Sequence, residues 1–349
     1  MEKQDIKSMT QEELRAFLVS LGEKPFRTAQ IYQWMHEKLA SSFDDMTNLS
    51  KVLRQKLQDA CEYVSLEKVR VQISQIDGTR KYLFRLADGN VIESVLMRYK
   101  HGNSVCISSQ VGCRMGCRFC ASTLDGLERN LRPSEMLDQI YQIQRDTGER
   151  VSNVVVMGSG EPLDNYDNLI RFIHLLTEEG GLHISQRNVT VSTCGLVPKI
   201  RELADQGLTI TLALSLHAPS DEVRKTLMPI ANRYALKDVL SACRTFFEKT
   251  GRRRTFEYSL VRGVNDNLEE ARALTALIKD LHGHVNLIPV NPVRERSFVR
   301  STRQAVENFK INLEKCGING TIRREMGSDI DGACGQLRKR YMEKTESEK

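Results

Sequence analysis

Cys113-Arg114-Met115-Gly116-Cys117-Arg118-Phe119-Cys120 is the stretch around which the rest of the chain is organised. Its C-x3-C-x2-C spacing lets one short loop aim three thiolates at a single cuboidal iron–sulfur cluster, with one iron left without a protein ligand. An iron with an open position can bind a cosubstrate, so the spacing points to a reactive centre more than to an electron wire. A structural zinc site needs a fourth closed ligand, and the nearest candidates, Cys106 and His101, stand at unhelpful spacing. Three inert buried cysteines fit less well still, because the loop is rich in Gly and Arg.

Downstream of this loop, strand and helix patterns alternate. A helix is expected from 133 to about 146, a buried strand at 154–157 and a helix near 166–178. Strands at 188–193, 208–216, 255–261, 284–290 and 318–324 follow, with helices at 197–206, 221–227, 236–249, 268–281 and 301–316 between them. Repeated β-α units call for a parallel sheet covered by helices, as an open sheet or as a partial or full barrel. Chemistry in such folds gathers at the C-terminal ends of the strands. Four of those ends carry small polar groups: Gly158-Ser159-Gly160-Glu161-Pro162, Ser192-Thr193-Cys194-Gly195, Ser215-Leu216-His217 and Asn291-Pro292. Together they suit a zwitterionic, ribose-bearing ligand.

Upstream, 11–22, 27–40 and about 49–61 read as short amphipathic helices, with Thr10 as an N-cap and Trp34 as a core anchor. Between 64 and 109 the pattern becomes the alternation of antiparallel strands, broken at Asp77-Gly78 and Asp88-Gly89-Asn90 by hairpin turn residues. Glu93 lies on the last of these strands. Alternation favours a solvated carboxylate there, the other reading being a base turned toward the active centre. Near the C-terminus Cys334 is flanked by Ala and Gly and so is sterically accessible, while the neighbouring acids disfavour a reactive thiolate and leave an inert buried cysteine equally open. Cys61, Cys243 and Cys316 sit in helical patterns and read as core fillers. Arg252-Arg253-Arg254 suits either a phosphate contact or an exposed basic turn. Residues 338–349 are mostly charged and are expected to fray as a tail.

At 349 residues the chain can bury one large enzyme domain and a small appendage without disulfides, so its 9 cysteines read as ligands, nucleophiles or core residues. Residues 1–10 lack an apolar signal core, and no run approaches the roughly 18 apolar residues of a membrane span. A cytoplasmic protein with no membrane partner is expected. The net charge of +6 is uneven: 61–100 carries +2 and 291–349 carries +4, while the remainder balances. Basic flanks suit a polyanion such as RNA, and equally a solvated surface.

The cysteine loop followed by Gly160-Glu161-Pro162 resembles the radical S-adenosylmethionine enzymes. More narrowly, Ser108-Ser109-Gln110-Val111-Gly112-Cys113, Ser215-Leu216-His217-Ala218, Leu227-Met228-Pro229-Ile230, Gly263-Val264-Asn265-Asp266, Asn286-Leu287-Ile288-Pro289 and Ala333-Cys334-Gly335-Gln336-Leu337 resemble the RlmN/Cfr family of RNA adenine methyltransferases. The resemblance runs from Gly22-Glu23-Lys24-Pro25-Phe26-Arg27 to Leu337.

It implies an α/β fold: a partial parallel β/α barrel (radical SAM core) over 101–337, a small N-terminal helical, RNA-binding accessory domain over 1–62, an antiparallel β extension over 63–100 and a charged tail over 338–349. It further implies that Cys113, Cys117 and Cys120 hold a 4Fe-4S cluster whose free iron chelates S-adenosyl-L-methionine, contacted by Gly160, Glu161, Ser192, Ser215, Leu216, His217 and Asn291. Two molecules of S-adenosylmethionine serve each turnover, one methylating Cys334 and the other yielding the radical that activates this methyl group. Glu93 is then the general base that removes the adenine C2 proton, and Cys106 displaces Cys334 through a transient disulfide.

The implied substrates are an adenine of 23S rRNA at the peptidyl transferase centre and the adenine 3′ to the anticodon in tRNA. The implied electron donor is a flavodoxin or ferredoxin, and the enzyme is expected to be a monomer. Three positions depart from the family pattern: Ser159 for a methionine, Cys194 for a serine and Gly332 for an alanine. Two competing readings remain, a Cfr-type C8 methyltransferase and a non-catalytic RNA-binding protein with a structural metal. Glu161-Pro162-Leu163 and the Gly22 to Arg27 motif favour C2.

Overall fold

Thr10 begins the first helix as expected, its hydroxyl accepting from Glu13 N while the Glu13 carboxylate accepts from Thr10 N. The computed structural model describes residues 3–253, 255–281, 283–331 and 335–347, with side chains as far as 343. The N-terminal part comprises β1 (Gln4–Asp5), α1 (Gln11–Ser20), α2 (Arg27–His36), α3 (Lys51–Ala60) and β2 (Cys61–Glu62). An antiparallel meander follows: β3 (Glu67–Ile73), β4 (Arg80–Arg85), β5 (Val91–Tyr99) and β6 (Gly102–Ile107). The short pair β7 (Gln110–Gly112) and β8 (Leu127–Asn130) brackets the cysteine loop.

Alternating units then complete the chain: α4 (Pro133–Thr147), β9 (Val151–Val156), α5 (Tyr166–Thr177), β10 (Val189–Thr193), α6 (Val197–Ala204), β11 (Thr211–Ser215), α7 (Asp221–Leu227), α8 (Leu236–Thr250), β12 (Thr255–Leu260), α9 (Leu268–Ile278), β13 (His284–Pro289), α10 (Arg303–Lys315), β14 (Asn319–Ile322) and α11 (Gln336–Ser347). Ten strands form one sheet in the order β14-β13-β12-β11-β10-β9-β6-β5-β4-β3. From β6 to β14 every pairing is parallel and each new strand joins the same edge, so the sheet curls one way into a partial barrel. The antiparallel extension is continuous with it through β6.

Side-chain alternation divides this sheet into two unlike faces. Val154, Val156, Val189, Val191, Leu212, Leu214, Phe256, Tyr258, Val285 and Leu287 are fully buried. They form the face that the helices cover. The register pairs Ser192 with Ala213, Ser215 with Glu257, Glu257 with Asn286 and Ser259 with Ile288, so the opposite, concave face is polar. The same face continues through the Cys106–Val155, Val95–Cys106 and Leu83–Glu93 pairs into the extension.

Within the charge-rich 338–349 segment, the described residues do not fray as expected: residues 336–347 are helical. Leu337, 1 % exposed, packs against Leu83 and Val91, with Tyr341 one turn on. That i, i+4 stripe, inconspicuous in a charged sequence, seats α11 on the extension. Cys61 and Cys243 are buried as expected, whereas Cys316 is exposed just beyond α10. Trp34 packs part-buried against the core. Among the described residues no helix is long and apolar enough to cross a membrane.

The N-terminal helices share one apolar core with the barrel. A buried ion pair fastens them. Lys7 Nζ donates to Asp138 Oδ1 at 2.9 Å and to Val64 O at 2.5 Å, and lies 4.2 Å from the Tyr63 ring centroid. Burial lowers the Lys7 pKa even though Asp138 opposes it, so the pair is costly to desolvate and costlier to break. Lys7→Met should destabilise the protein by about 3–5 kcal/mol in urea titration, while Lys7→Met combined with Asp138→Leu should recover most of that loss.

His36, fully buried beside Tyr141 at 2.6 Å, has its pKa pushed down to about 3, first by burial and then by Lys7. Between about pH 6.5 and 3 the unfolded chain therefore binds a proton that the folded one does not. Its contribution should be complete above pH 6.5 and fall by about 1.4 kcal/mol per unit below it. The urea midpoint of His36→Leu should lose that part of the pH dependence.

Candidate active site

The cysteine loop is closed by a tight approach of Gly112, at the end of β7, to Gly126, just before β8. Cys113 N donates to Gly126 O at 2.7 Å, and a Cβ on Gly112, whose φ is +76°, would stand 2.1 Å from Gly126 O. Only glycine fits. Thr123 Oγ1 bonds the carbonyls of Cys117 and Cys120, both at 3.0 Å, and Arg118 N donates to Leu227 O at 2.9 Å.

Cys113, Cys117 and Cys120 border one cavity of about 240 Å³ at the C-terminal ends of the barrel strands. Burial pushes the Cys113 thiol up to about 12 and the Cys117 thiol well above its usual range, so it is metal binding that would hold them as thiolates. Three thiols spread around one cavity fit a body with several metal corners, as a cuboidal cluster has.

Six of the seven residues expected to contact the cosubstrate, Gly160, Glu161, Ser192, Ser215, His217 and Asn291, border this cavity. Leu216 does not: its side chain is in the apolar core, its N–H donates to Glu257 O at 3.0 Å and its carbonyl accepts from Arg224 Nε at 3.2 Å. Glu161 is buried, with Oε2 accepting from Cys194 N at 2.8 Å and Oε1 from Leu163 N at 3.2 Å, which ties two strand ends together. Burial raises its pKa against those hydrogen bonds. Gly160 has φ +111°, and a Cβ there would meet Gln110 N at 2.8 Å. Ser159, where the family pattern has methionine, donates to Ser122 Oγ at 2.9 Å and so joins the β9 end to the cysteine loop.

His217 adopts φ +58°, and its Nδ1 accepts from Ser259 N at 2.9 Å, which leaves its proton on Nε2. Burial, then Arg224, pushes its pKa down to about 3. The Phe119 ring stands edge-on, 4.8 Å between centroids. The imidazole is therefore a fixed neutral donor.

The structure reverses the preference for a solvated Glu93, which is 5 % exposed. Its carboxylate meets Lys81 Nζ at 2.8 Å and accepts from Gly335 N at 2.7 Å and Arg338 N at 2.6 Å, the amides at the start of α11. Cys334, with Gly332 and Ala333, lies outside the described residues, as does Arg254. On the near side of that segment Asp331 N donates to Gln72 Oε1 at 3.0 Å, and the Asp331 carboxylate pairs with Arg340 at 2.5 Å. Both flanks of the Cys334 segment are thus tied to neighbouring elements. Buried Cys106 borders a second cavity that shares Ile288, Asn291, Arg323 and Gln336 with the first.

Several wall residues escaped the reading of strand ends: Phe119, Glu257, Ser259, Arg323 and Gln336 all border the first cavity. Glu257 and Ser259 were accessible through the alternation of 255–260. Glu257 Oε2 accepts from Asn286 Nδ2 at 2.8 Å, and burial raises its pKa. Arg252, one of the basic triplet, donates to Arg187 O at 3.2 Å and Thr211 Oγ1 at 3.1 Å.

Residues 107–275 match the family model of the radical SAM superfamily. A crystal structure of a radical SAM methyltransferase from Sphaerobacter thermophilus shares the fold at TM-score 0.92 and 42 % identity, over 95 % of this chain and 98 % of that one. Fold and site thus define a radical S-adenosylmethionine methyltransferase. Residues 4–63 match the ribosomal RNA large subunit methyltransferase N-terminal domain. Proteins named probable dual-specificity RNA methyltransferase RlmN are 68 % identical in Lachnospira eligens, over 97 % of both chains, and 63 % identical in Lachnoclostridium phytofermentans, over 99 % of this chain and 97 % of that one. The chain belongs to the RlmN family of dual-specificity RNA methyltransferases.

Proposed function

We propose that this enzyme methylates C2 of an adenine in 23S rRNA at the peptidyl transferase centre and of the adenine 3′ to the anticodon in tRNA, through a methyl group carried on Cys334. The observation that carries this reading is the continuity of one concave face from the three-cysteine cavity through Cys106 to Glu93, whose carboxylate accepts from the amide next to Cys334. Cys113, Cys117 and Cys120 would hold the 4Fe-4S cluster, which when bound supplies the electron that splits a sulfonium into a carbon radical. Adenine C2 is electron-poor and does not attack a sulfonium methyl directly, which is why a radical route is needed.

Gly160, Glu161, Ser192, Ser215, His217 and Asn291 orient S-adenosylmethionine, His217 through its Nε2–H and Leu216 only through backbone placement. The Cys334 sulfur accepts a methyl from one S-adenosylmethionine, and a second is consumed in activating that methyl. Glu93 takes the C2 proton, with Lys81 fixing the carboxylate's orientation. Its two amide partners at Gly335 and Arg338 tie the carboxylate to the start of α11, beside the segment that carries Cys334. The Cys106 sulfur then attacks the Cys334 sulfur, so that the S–S bond forms as the Cys334 S–C bond breaks. The released carbon takes a proton to become the methyl group, the surplus electron returns to the electron-transfer chain, and a thiol reductant reopens the disulfide. The helices within 1–62 bind RNA, whose target base is extruded to reach the cavity. A flavodoxin- or ferredoxin-type donor supplies electrons to a monomeric, cytoplasmic enzyme.

Cys334→Ala should retain iron and sulfide but leave naked 23S RNA unmethylated when product is read by mass spectrometry. Normal methylation by this variant, or label at C8 only, would sink the proposal. Glu93→Gln should slow product formation by about 10²–10⁴-fold. Enzyme–RNA adduct should accumulate, since addition precedes proton removal; a Gln variant of unchanged rate would remove Glu93 from the base role.

A further inference from the structure

Arg224, on α7, is fully buried yet forms no ion pair among the described residues. Its Nε donates to Leu216 O at 3.2 Å and its Nη2 to Cys194 O at 2.6 Å and Ser215 O at 3.3 Å. Nη1 is buried and unpartnered. Three carbonyls at the ends of β10 and β11 therefore fix the guanidinium in place but do not neutralise it. Gly195 helps make the room: a Cβ there would stand 3.4 Å from Nη2 and 2.9 Å from Val239 Cγ1.

A guanidinium does not shed its proton as lysine does, and an uncompensated buried charge is strongly destabilising. An anion bound on this side of the site would offset that charge. Asp221, three residues earlier on the same helix, offsets part of the charge through its field but makes no ion pair with Arg224, its carboxylate accepting from Leu236 N at 2.8 Å. Cys194 is a buried thiol held well above its usual pKa and so is neutral. Cys194 borders the three-cysteine cavity and shares a packing cluster with Cys117, and Arg118 N donates to Leu227 O on α7, so the guanidinium lies directly behind the cysteine loop, where Cys117 becomes anionic on binding iron.

We propose that Arg224 is the buried counter-charge of the iron–sulfur centre, a positioning residue that holds its thiolates and raises its reduction potential. This rests on the reading of Cys113, Cys117 and Cys120 as cluster ligands. A fixed positive charge beside an anionic centre favours the more negative, reduced state. Held by strand-end carbonyls, the charge does not reorganise when the electron arrives.

The test uses full-length protein, anaerobically reconstituted, as wild type, Arg224→Gln and Arg224→Lys. Iron and sulfide content, midpoint potential by EPR-monitored titration and S-adenosylmethionine affinity are measured on each. The expected result is a more negative potential and a lower iron content in the Gln variant, with both restored toward wild type by Lys. An unshifted potential in an iron-replete Gln variant overturns the proposal. Equal losses in Gln and Lys, whether of iron or of folding, overturn it too, because they make Arg224 a hydrogen-bonding strut. A change confined to S-adenosylmethionine affinity assigns the anion to the cosubstrate carboxylate and likewise overturns it. Wild-type protein that takes up no iron and sulfide would instead defeat the cluster reading itself.

Discussion

Register is the constraint on which everything else rests. Because side chains alternate along a strand, a slip of one residue in the pairing of β10, β11 or β12 would send Ser192, Ser215 or Glu257 into the helical layer and bring Val191, Leu214 or Phe256 into the cavity. Each such apolar side chain contributes about 1.5–3 kcal/mol by its burial. The helix-facing layer therefore fixes the register, and the polar face is carried along with it. Catalytic geometry here is a by-product of hydrophobic packing on the other side of the sheet.

That division explains what was legible in the sequence. The cysteine loop was readable because ligand spacing on a short loop is local chemistry, and the strand ends were readable because Gly, Ser and His interrupt apolar runs. Glu257 and Ser259 lie within a strand and show only as alternation, a pattern masked when every strand of a parallel sheet is assumed to be apolar on both faces. Alternation alone misplaced Glu93 for a related reason. Alternation says that a residue faces the side opposite its neighbours, but not which side is solvent, and here the concave side is closed by α11. Nothing near Glu93 in sequence reveals that helix, since Gly335 and Arg338 are more than two hundred residues away.

The extension and the C-terminal helix also explain each other. β4 and β5 offer Leu83 and Val91 to Leu337, and Glu93 to the amides at the helix start. An apolar seat and an anion at the N-terminus are what a short, highly charged helix lacks by itself. The same arrangement holds one flank of the Cys334 segment, and the Gln72 and Arg340 contacts of Asp331 hold the other.

The charges around the cavity follow one rule. Glu161 and Glu257 are buried acids whose pKa values burial raises, each held by hydrogen bonds from neighbours on adjoining strands. His217 is kept neutral by burial and by Arg224. The carboxylates are thus held in place by dipoles, and the imidazole by a tautomer that cannot carry charge at ordinary pH. Arg224 stands apart because carbonyl dipoles can orient a guanidinium but cannot cancel it. Among the described residues of this wall, the buried Arg224 is oriented by carbonyls and paired with no carboxylate, and its place behind the cysteine loop is where a negative charge gains most from it.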